Sequence, residues 1–242
     1  MNVGLIGKGY WGSIVESKLK NICNLKFVAD SKTDYTSKLN DVDWIFVCSP
    51  TNTHYDIVKK CLYSNKNVFC EKPFTGNYKK AKELIEVAKN KNLKLFIDNI
   101  FLYREETKKL TNTFKDISFI WNKSEKINQN IYDSLLYHDV YLLINTTKFE
   151  NWNVVEKNIN DCKLKVVLQH NQKTAFFYYD RSLSFKQKII KLDDLEIDYS
   201  VPTTDPLMDI INQLNKNFID YSANQDLTLK TLKLLTKIKN YD

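Results

Sequence analysis

Short apolar runs recur at Asn2–Ile6, Leu25–Asp30, Asp43–Cys48, Asn67–Cys70 and Leu93–Asp98. Runs this short and this continuously apolar are what parallel strands covered on both faces require. Between several of them the period changes from two to 3.6. Ile14, Val15, Leu19 and Ile22 form one helical face, Tyr55–Tyr63 fits a helix, and Tyr78–Asn90 places Ala81, Leu84, Ile85 and Ala88 together. The alternation predicts an α/β fold, a doubly wound parallel sheet over residues 1–114.

From residue 115 to 242 the pattern changes to alternating or aromatic-rich runs. They are Ile117–Trp121, Trp152–Lys157, Lys163–His170, Thr174–Tyr179, Leu183–Leu192 and Ile197–Val201. Polar breaks such as Asn171-Gln172 and Asp193-Asp194 separate most of them, which predicts an antiparallel meander. A helix over Asn130–Thr146 precedes most of these strands, and two helices close the chain. Pro206 suits a first helical position behind Asp205, and Leu207, Ile210, Ile211, Leu214 and Phe218 make one stripe. The last helix carries Leu229, Leu232, Leu235 and Ile238. This second part is expected to be a smaller α+β domain with a mostly antiparallel sheet.

Four of the five glycines, Gly4, Gly7, Gly9 and Gly12, lie in the first dozen residues. Gly7-Lys8-Gly9-Tyr10-Trp11-Gly12 fits G-x-G-x-x-G between a strand and a helix, the dinucleotide fingerprint of a Rossmann domain. Gly7 permits the tight turn, Gly9 lets a pyrophosphate approach the backbone, and Gly12 lets helix and strand pack closely. The phosphates would rest on helix N-terminal N–H groups. Asp30 closes the second strand, where a carboxylate accepts from ribose hydroxyls and favours NAD; Lys32 nearby leaves NADP open.

Composition narrows the class. The net charge of +7 comes from lysines spread along the whole chain rather than gathered in one stripe, so no nucleic-acid partner is expected. No run approaches the ~18 consecutive apolar residues of a membrane helix. The five cysteines lack C-x-x-C spacing, which argues against a metal site or a disulfide framework. With no secretory leader in the opening residues, a cytoplasmic setting is expected.

Three stretches are candidates for chemistry. Ser49-Pro50-Thr51-Asn52-Thr53-His54 follows the third strand and suits the lining of a cofactor or a helix start capped by Thr53. Glu71-Lys72-Pro73 follows the fourth strand, where a lysine ammonium would exchange a proton with a substrate oxygen as hydride moves. Ser134 and His138 share a helix face, with Asp133 on its edge.

The order of these motifs, with Arg104 after the fifth strand, resembles the glucose-fructose oxidoreductase, inositol dehydrogenase and MocA (Gfo/Idh/MocA) family. The resemblance implies NAD(P)-dependent oxidation or reduction of a sugar, nucleotide sugar or cyclitol. It makes Lys72 the proton relay, with Glu71 near the nicotinamide and the Lys-Pro bond cis. It makes His138 the assisting histidine, with Asp133, one position off the expected partner aspartate, as the carboxylate that would substitute for it. It implies a homodimer or homotetramer through the second-domain sheet. The cofactor set is then Gly7, Gly9, Tyr10, Trp11, Gly12, Asp30, Ser49, Pro50, Thr51, Asn52, His54, Glu71 and Lys72. The chain departs from the pattern in three ways. It is short for the family, with the shortfall expected in the second domain. Ser134 stands where an aspartate is expected, and Asn122-Lys-Ser-Glu-Lys-Ile-Asn replaces a glycine-rich segment. A non-catalytic dinucleotide-binding sensor or partner subunit on the same scaffold is the alternative.

Overall fold

The structure, a computed structural model, describes residues 1–124 and 130–241. Part of the Asn122–Asn128 stretch therefore lies outside the described residues. The chain divides into two compact units, 1–100 with 206–229, and 101–205 with 230–242. Residues 101–114 thus fall in the second unit, and the chain returns to the first at Pro206. The linear division expected at residue 114 differs from this arrangement. Apolar stripes show that the closing helices are buried but not which sheet they cover.

In the first unit, β1 (Asn2–Ile6), β2 (Asn24–Ala29), β3 (Trp44–Val47), β4 (Asn67–Cys70) and β5 (Leu95–Ile97) form a parallel sheet. The order β2-β1-β3-β4-β5 reverses direction at β1 and β3. Register places Phe46 beside Phe69 and Phe69 beside Phe96. Their rings stack at 4.7 and 5.7 Å, an aromatic ladder across three strands. Helices α1 (Tyr10–Ile22), α2 (Thr51–Tyr63) and α3 (Tyr78–Asn90) follow β1, β3 and β4. The expected face of α3, Ala81, Leu84, Ile85 and Ala88, is buried, and the Asn77 side chain caps its first turn by accepting from the Lys80 N–H at 3.1 Å.

Helix α5 (Pro206–Lys216) buries Leu207, Ile210, Ile211 and Leu214. Phe218, assigned to the same stripe, is 76% exposed. The helix ends at Lys216 and Asn217 turns left-handed at φ 58°, so the helical period no longer places Phe218. Helix α6 (Tyr221–Lys239) spans both units. Its first turns serve the open edge of β5: Asn224 accepts from the Ile97 N–H at 2.8 Å and donates to the Ile97 carbonyl at 2.9 Å. Gln225 donates to the Leu95 carbonyl at 2.9 Å. Amide side chains thus occupy groups that an edge strand otherwise offers to another chain.

In the second unit, β6 (Asp116–Asn122), β7 (Asn153–Ile159), β8 (Lys163–His170), β9 (Lys173–Asp180), β10 (Gln187–Leu192) and β11 (Leu195–Asp198) form one sheet. Its order is β11-β10-β6-β9-β8-β7. Strands β7, β8 and β9 are the expected meander, turning at Asn171 with φ 52°. The pure meander is corrected at β6, which inserts between β9 and β10 and pairs with β9 in parallel. Alternation marks which face of β6 is buried, and cannot mark its neighbours. Phe119 and Phe177 stack across that parallel pair at 5.0 Å. The expected Asn130–Thr146 helix is a π turn, Tyr132–Leu136, running into α4 (Tyr137–Thr147). Among the described residues no helix is long and apolar enough to cross a membrane.

Candidate functional site

The glycine turn joins β1 to α1 as expected. Gly7 has φ 113°, and a side chain there would overlap the Cys48–Ser49 peptide at the end of β3. A Cβ on Gly12, inside α1, would overlap the Gly7 carbonyl oxygen. Gly9 is the N-cap of α1, and a Cβ there would meet nothing within 4 Å. With no side chain to cap and no acidic residue in the first turn, the positive end of α1 opens at Gly9. That geometry fits a diphosphate.

Gly7 N–H donates to the Ala29 carbonyl at 2.8 Å, bringing the end of β2 beside the turn. The next residue, Asp30, is exposed. Its carboxylate accepts from the Thr33 hydroxyl at 2.7 Å and the Lys32 N–H at 3.0 Å. Those two bonds hold its pKa below the usual aspartate value, so it stays an acceptor.

The β3–α2 connection differs from expectation. Helix α2 starts at Thr51 with Pro50 as N-cap, four residues before the expected Tyr55. Thr53 is therefore inside the helix, its hydroxyl 2.7 Å from both the Pro50 carbonyl and the Ser49 hydroxyl. The polar Thr51-Asn52-Thr53 turn hides this start from periodicity. His54 is buried, with Nε2 2.7 Å from the Ser49 carbonyl and Nδ1 3.0 Å from the Pro73 carbonyl. Burial lowers its pKa, outweighing the two carbonyls. The ring ties the β3–α2 loop to the segment after Lys72.

At the end of β4, Glu71 is buried, Lys72 is half-buried, and the Lys72-Pro73 bond is cis. The Trp11 indole N–H, in the first turn of α1, donates to the Glu71 carboxylate. Asp98, just past β5, reaches the same carboxylate. Burial raises the Glu71 pKa, and burial together with the Glu71 charge raises that of Asp98 far more. The sequence pattern ends the fifth strand on Asp98 and gives that residue no role. An acidic residue closing an apolar strand beside Glu71's strand was the available signal, but strand neighbours are not visible in the sequence.

In the second unit, His138 stacks on Phe101 at 4.4 Å, and its Nδ1 is 3.1 Å from the Tyr141 hydroxyl. The π turn brings residues five apart onto one side, as Tyr137 N–H to Tyr132 carbonyl bonding shows. Asp133 nevertheless pairs with Lys239 at 2.8 Å, and Ser134 accepts from Arg181. Asp139, unassigned in the sequence, accepts from the Tyr179 hydroxyl at 2.7 Å and pairs with buried Lys188. The Lys188 ammonium lies 4.0 Å from the Trp121 ring centroid. Arg104 bonds Glu106 at 3.1 Å and the Tyr199 carbonyl at 2.9 Å. Burial would raise the Glu106 pKa, but Arg104 and backbone N–H groups outweigh it and hold it at about 2.

A parallel sheet reversing at β1 and β3, with a glycine turn and charged residues at its strand ends, defines a dinucleotide-binding Rossmann unit. Residues 14–99 match the family model described as "Oxidoreductase family, NAD-binding Rossmann fold" (GFO_IDH_MocA). Myo-inositol 2-dehydrogenase of Thermotoga maritima is 32% identical over 117 residues, 40% of this chain and 35% of that protein. Trans-1,2-dihydrobenzene-1,2-diol dehydrogenase of Xenopus laevis is 33% identical over 110 residues, 43% of this chain and 33% of that protein. An uncharacterized oxidoreductase of Schizosaccharomyces pombe is 40% identical over 67 residues, 28% of this chain. The matched stretches span only 18 to 35% of these relatives' lengths. Among solved structures, UDP-N-acetylglucosamine 3-dehydrogenase GnnA of Acidithiobacillus ferrooxidans gives a TM-score of 0.83 at 16% identity, covering 98% of this chain and 96% of that one. The WlbA dehydrogenase of Thermus thermophilus, solved with NAD and UDP-GlcNAcA, gives 0.84 at 12% identity, covering 100% and 95%. Over residues 14–99, within its Rossmann unit, the chain is thus similar to the Gfo/Idh/MocA oxidoreductase family.

Proposed function

We propose that the protein is an NAD(P)-dependent oxidoreductase acting on a carbinol or ketone of a sugar, nucleotide sugar or cyclitol. The observation that carries this reading is the Trp11–Glu71 hydrogen bond, which ties the glycine-turn helix to the residue preceding Lys72. Bound nicotinamide would supply the hydride chemistry. Gly7, Gly9, Tyr10, Trp11 and Gly12 shape the diphosphate turn, and Asp30 accepts from ribose hydroxyls. Ser49, Pro50, Thr51 and Asn52 line the adjoining strand end, and His54 braces it from within. Lys72 takes the substrate hydroxyl proton or returns it, with Glu71 as its counter-charge. The resemblance gives His138 the assisting role, with Tyr141 rather than Asp133 as the partner of its Nδ1. The Phe176–Tyr178 stack and exposed Val155 and Ile159 on the second-unit sheet suit a homodimer or homotetramer.

The test is NADH and NADPH titration followed by turnover on sugars, nucleotide sugars and cyclitols. Lys72→Ala is expected to lower kcat by about 10²-fold or more while NADH affinity holds within a few-fold. NADH binding with no turnover on any substrate class would support the second reading, a dinucleotide-binding sensor or partner subunit. That reading is favoured by Asp133 pairing with Lys239 instead of His138.

A further inference from the structure

Beneath the strand ends of the first unit lies a buried pair of acids. Asp98 is 1% exposed, and among the described residues neither of its carboxylate oxygens receives an N–H or O–H. Its neighbour Glu71 does receive one, from the Trp11 indole, and is adjacent in the chain to the Lys72 ammonium. The two carboxyls lie within hydrogen-bonding reach of each other, on strands paired Cys70 to Ile97. Two ionised carboxylates cannot donate to one another, and an ionised, unsolvated carboxylate with no donor is among the costliest buried groups. One proton resolves both difficulties. Placed on Asp98, it gives that acid a partner and gives Glu71 a further donor beside the Trp11 indole and the Lys72 backbone N–H.

We propose that Asp98 is a positioning residue that stays a neutral carboxylic acid at neutral pH and donates its proton to Glu71. Glu71 is thereby fixed as a singly charged counter-ion for Lys72. The functional half of this proposal rests on the oxidoreductase reading; the protonation does not. The other titratable groups facing the pair are Lys72 and the thiols of Cys48 and Cys70. Burial holds both thiols well above their ordinary pKa, so they stay neutral and supply no competing charge. The Lys72 ammonium favours the ionised form of both acids. With two anions beneath it, the ammonium would hold its proton too tightly to exchange it with a substrate oxygen. With one, the cluster is neutral as a whole.

The deciding measurement is infrared spectroscopy of the full chain, unlabelled and with carboxyl-¹³C aspartate. At neutral pH a protonated-carboxyl C=O band that shifts with the aspartate label is expected, and Asp98→Asn should abolish it. Absence of that band in the wild-type protein, or its survival in Asp98→Asn, overturns the proposal. If Asp98→Asn fails to fold, a wild-type spectrum without the band still overturns the proposal, and the band is expected to survive in Asp139→Asn; its loss there would assign it to Asp139 and overturn the proposal. A second readout is the pH dependence of stability. A raised folded pKa means the native state keeps a proton that the unfolded chain has released. The folding equilibrium constant should therefore fall about tenfold per pH unit above the unfolded aspartate pKa until Asp98 ionises. Asp98→Asn should lack that contribution, and an unchanged slope would count against the assignment. NADH titration of the same wild-type sample separates the two claims: failure to bind removes the enzymatic reading and leaves the infrared result standing.

Discussion

Asn224 holds the backbone of Ile97 from both sides, accepting its N–H and donating to its carbonyl. The two residues are 127 positions apart in the chain, and the contact closes the β5 edge just before Asp98. Replacing Asn224 by Leu leaves the Ile97 N–H buried and unpaired, while the Ile97 carbonyl keeps only the Asn99 N–H at 2.9 Å. One such orphaned group costs about 1–3 kcal/mol, and a loss of that size is expected in urea unfolding. Asn224→Asp keeps the acceptor but sets a carboxylate against the Ile97 carbonyl, so it should be no more stable than the Leu variant.

The glycines separate packing from ligand approach. Gly12→Ala drives a methyl group into the Gly7 carbonyl, so the turn must open and the protein should lose stability. Gly9→Ala meets no atom of the protein. Its melting temperature should stay near wild type, or drop only by the ~0.5 kcal/mol of a mild surface change. Its NADH affinity should fall at least tenfold, because the methyl group occupies the diphosphate's approach. Equal NADH affinity in Gly9→Ala and wild type would remove the glycine turn from the binding site.

Lys188 and Asp139 form an ion pair that is essentially fully buried. Burial lowers the lysine's pKa and raises the aspartate's, each against the pull of its partner. Lys188→Met strands the aspartate, and about 3–5 kcal/mol should be lost. The double variant Lys188→Met/Asp139→Leu should recover most of that, since no uncompensated charge remains. Denaturant midpoints of the two single variants and the double variant give the coupling directly.

Glu106 predicts acid sensitivity. Its folded pKa of about 2 lies below the unfolded carboxyl value, so its contribution is complete above the unfolded pKa and is lost as pH falls through the folded one. About 2 kcal/mol should disappear between roughly pH 5 and pH 2. Arg104→Met removes the guanidinium that holds the pKa down, and the acid limb of its stability curve should be displaced to higher pH. A curve superimposable on wild type would show that the pair contributes nothing.

The amino-acid pattern by itself determined much of the first unit: its five strands in order, the α3 face to the residue, the glycine turn, and Lys72 at a strand end. These features repeat every two or 3.6 residues or sit in contiguous motifs, so local geometry specifies them. It also identified the family resemblance. Tertiary structure decided the rest. It inserted β6 between β9 and β10, returned α5 and the start of α6 to the first sheet, turned His54 inward, and set Asp98 against Glu71. Each depends on which distant segments lie side by side, and periodicity reports only the face a residue presents. His138 shows the same boundary: its helix was legible, but its stack on Phe101 and its bond to Tyr141 arise only when residues far apart in sequence share one core.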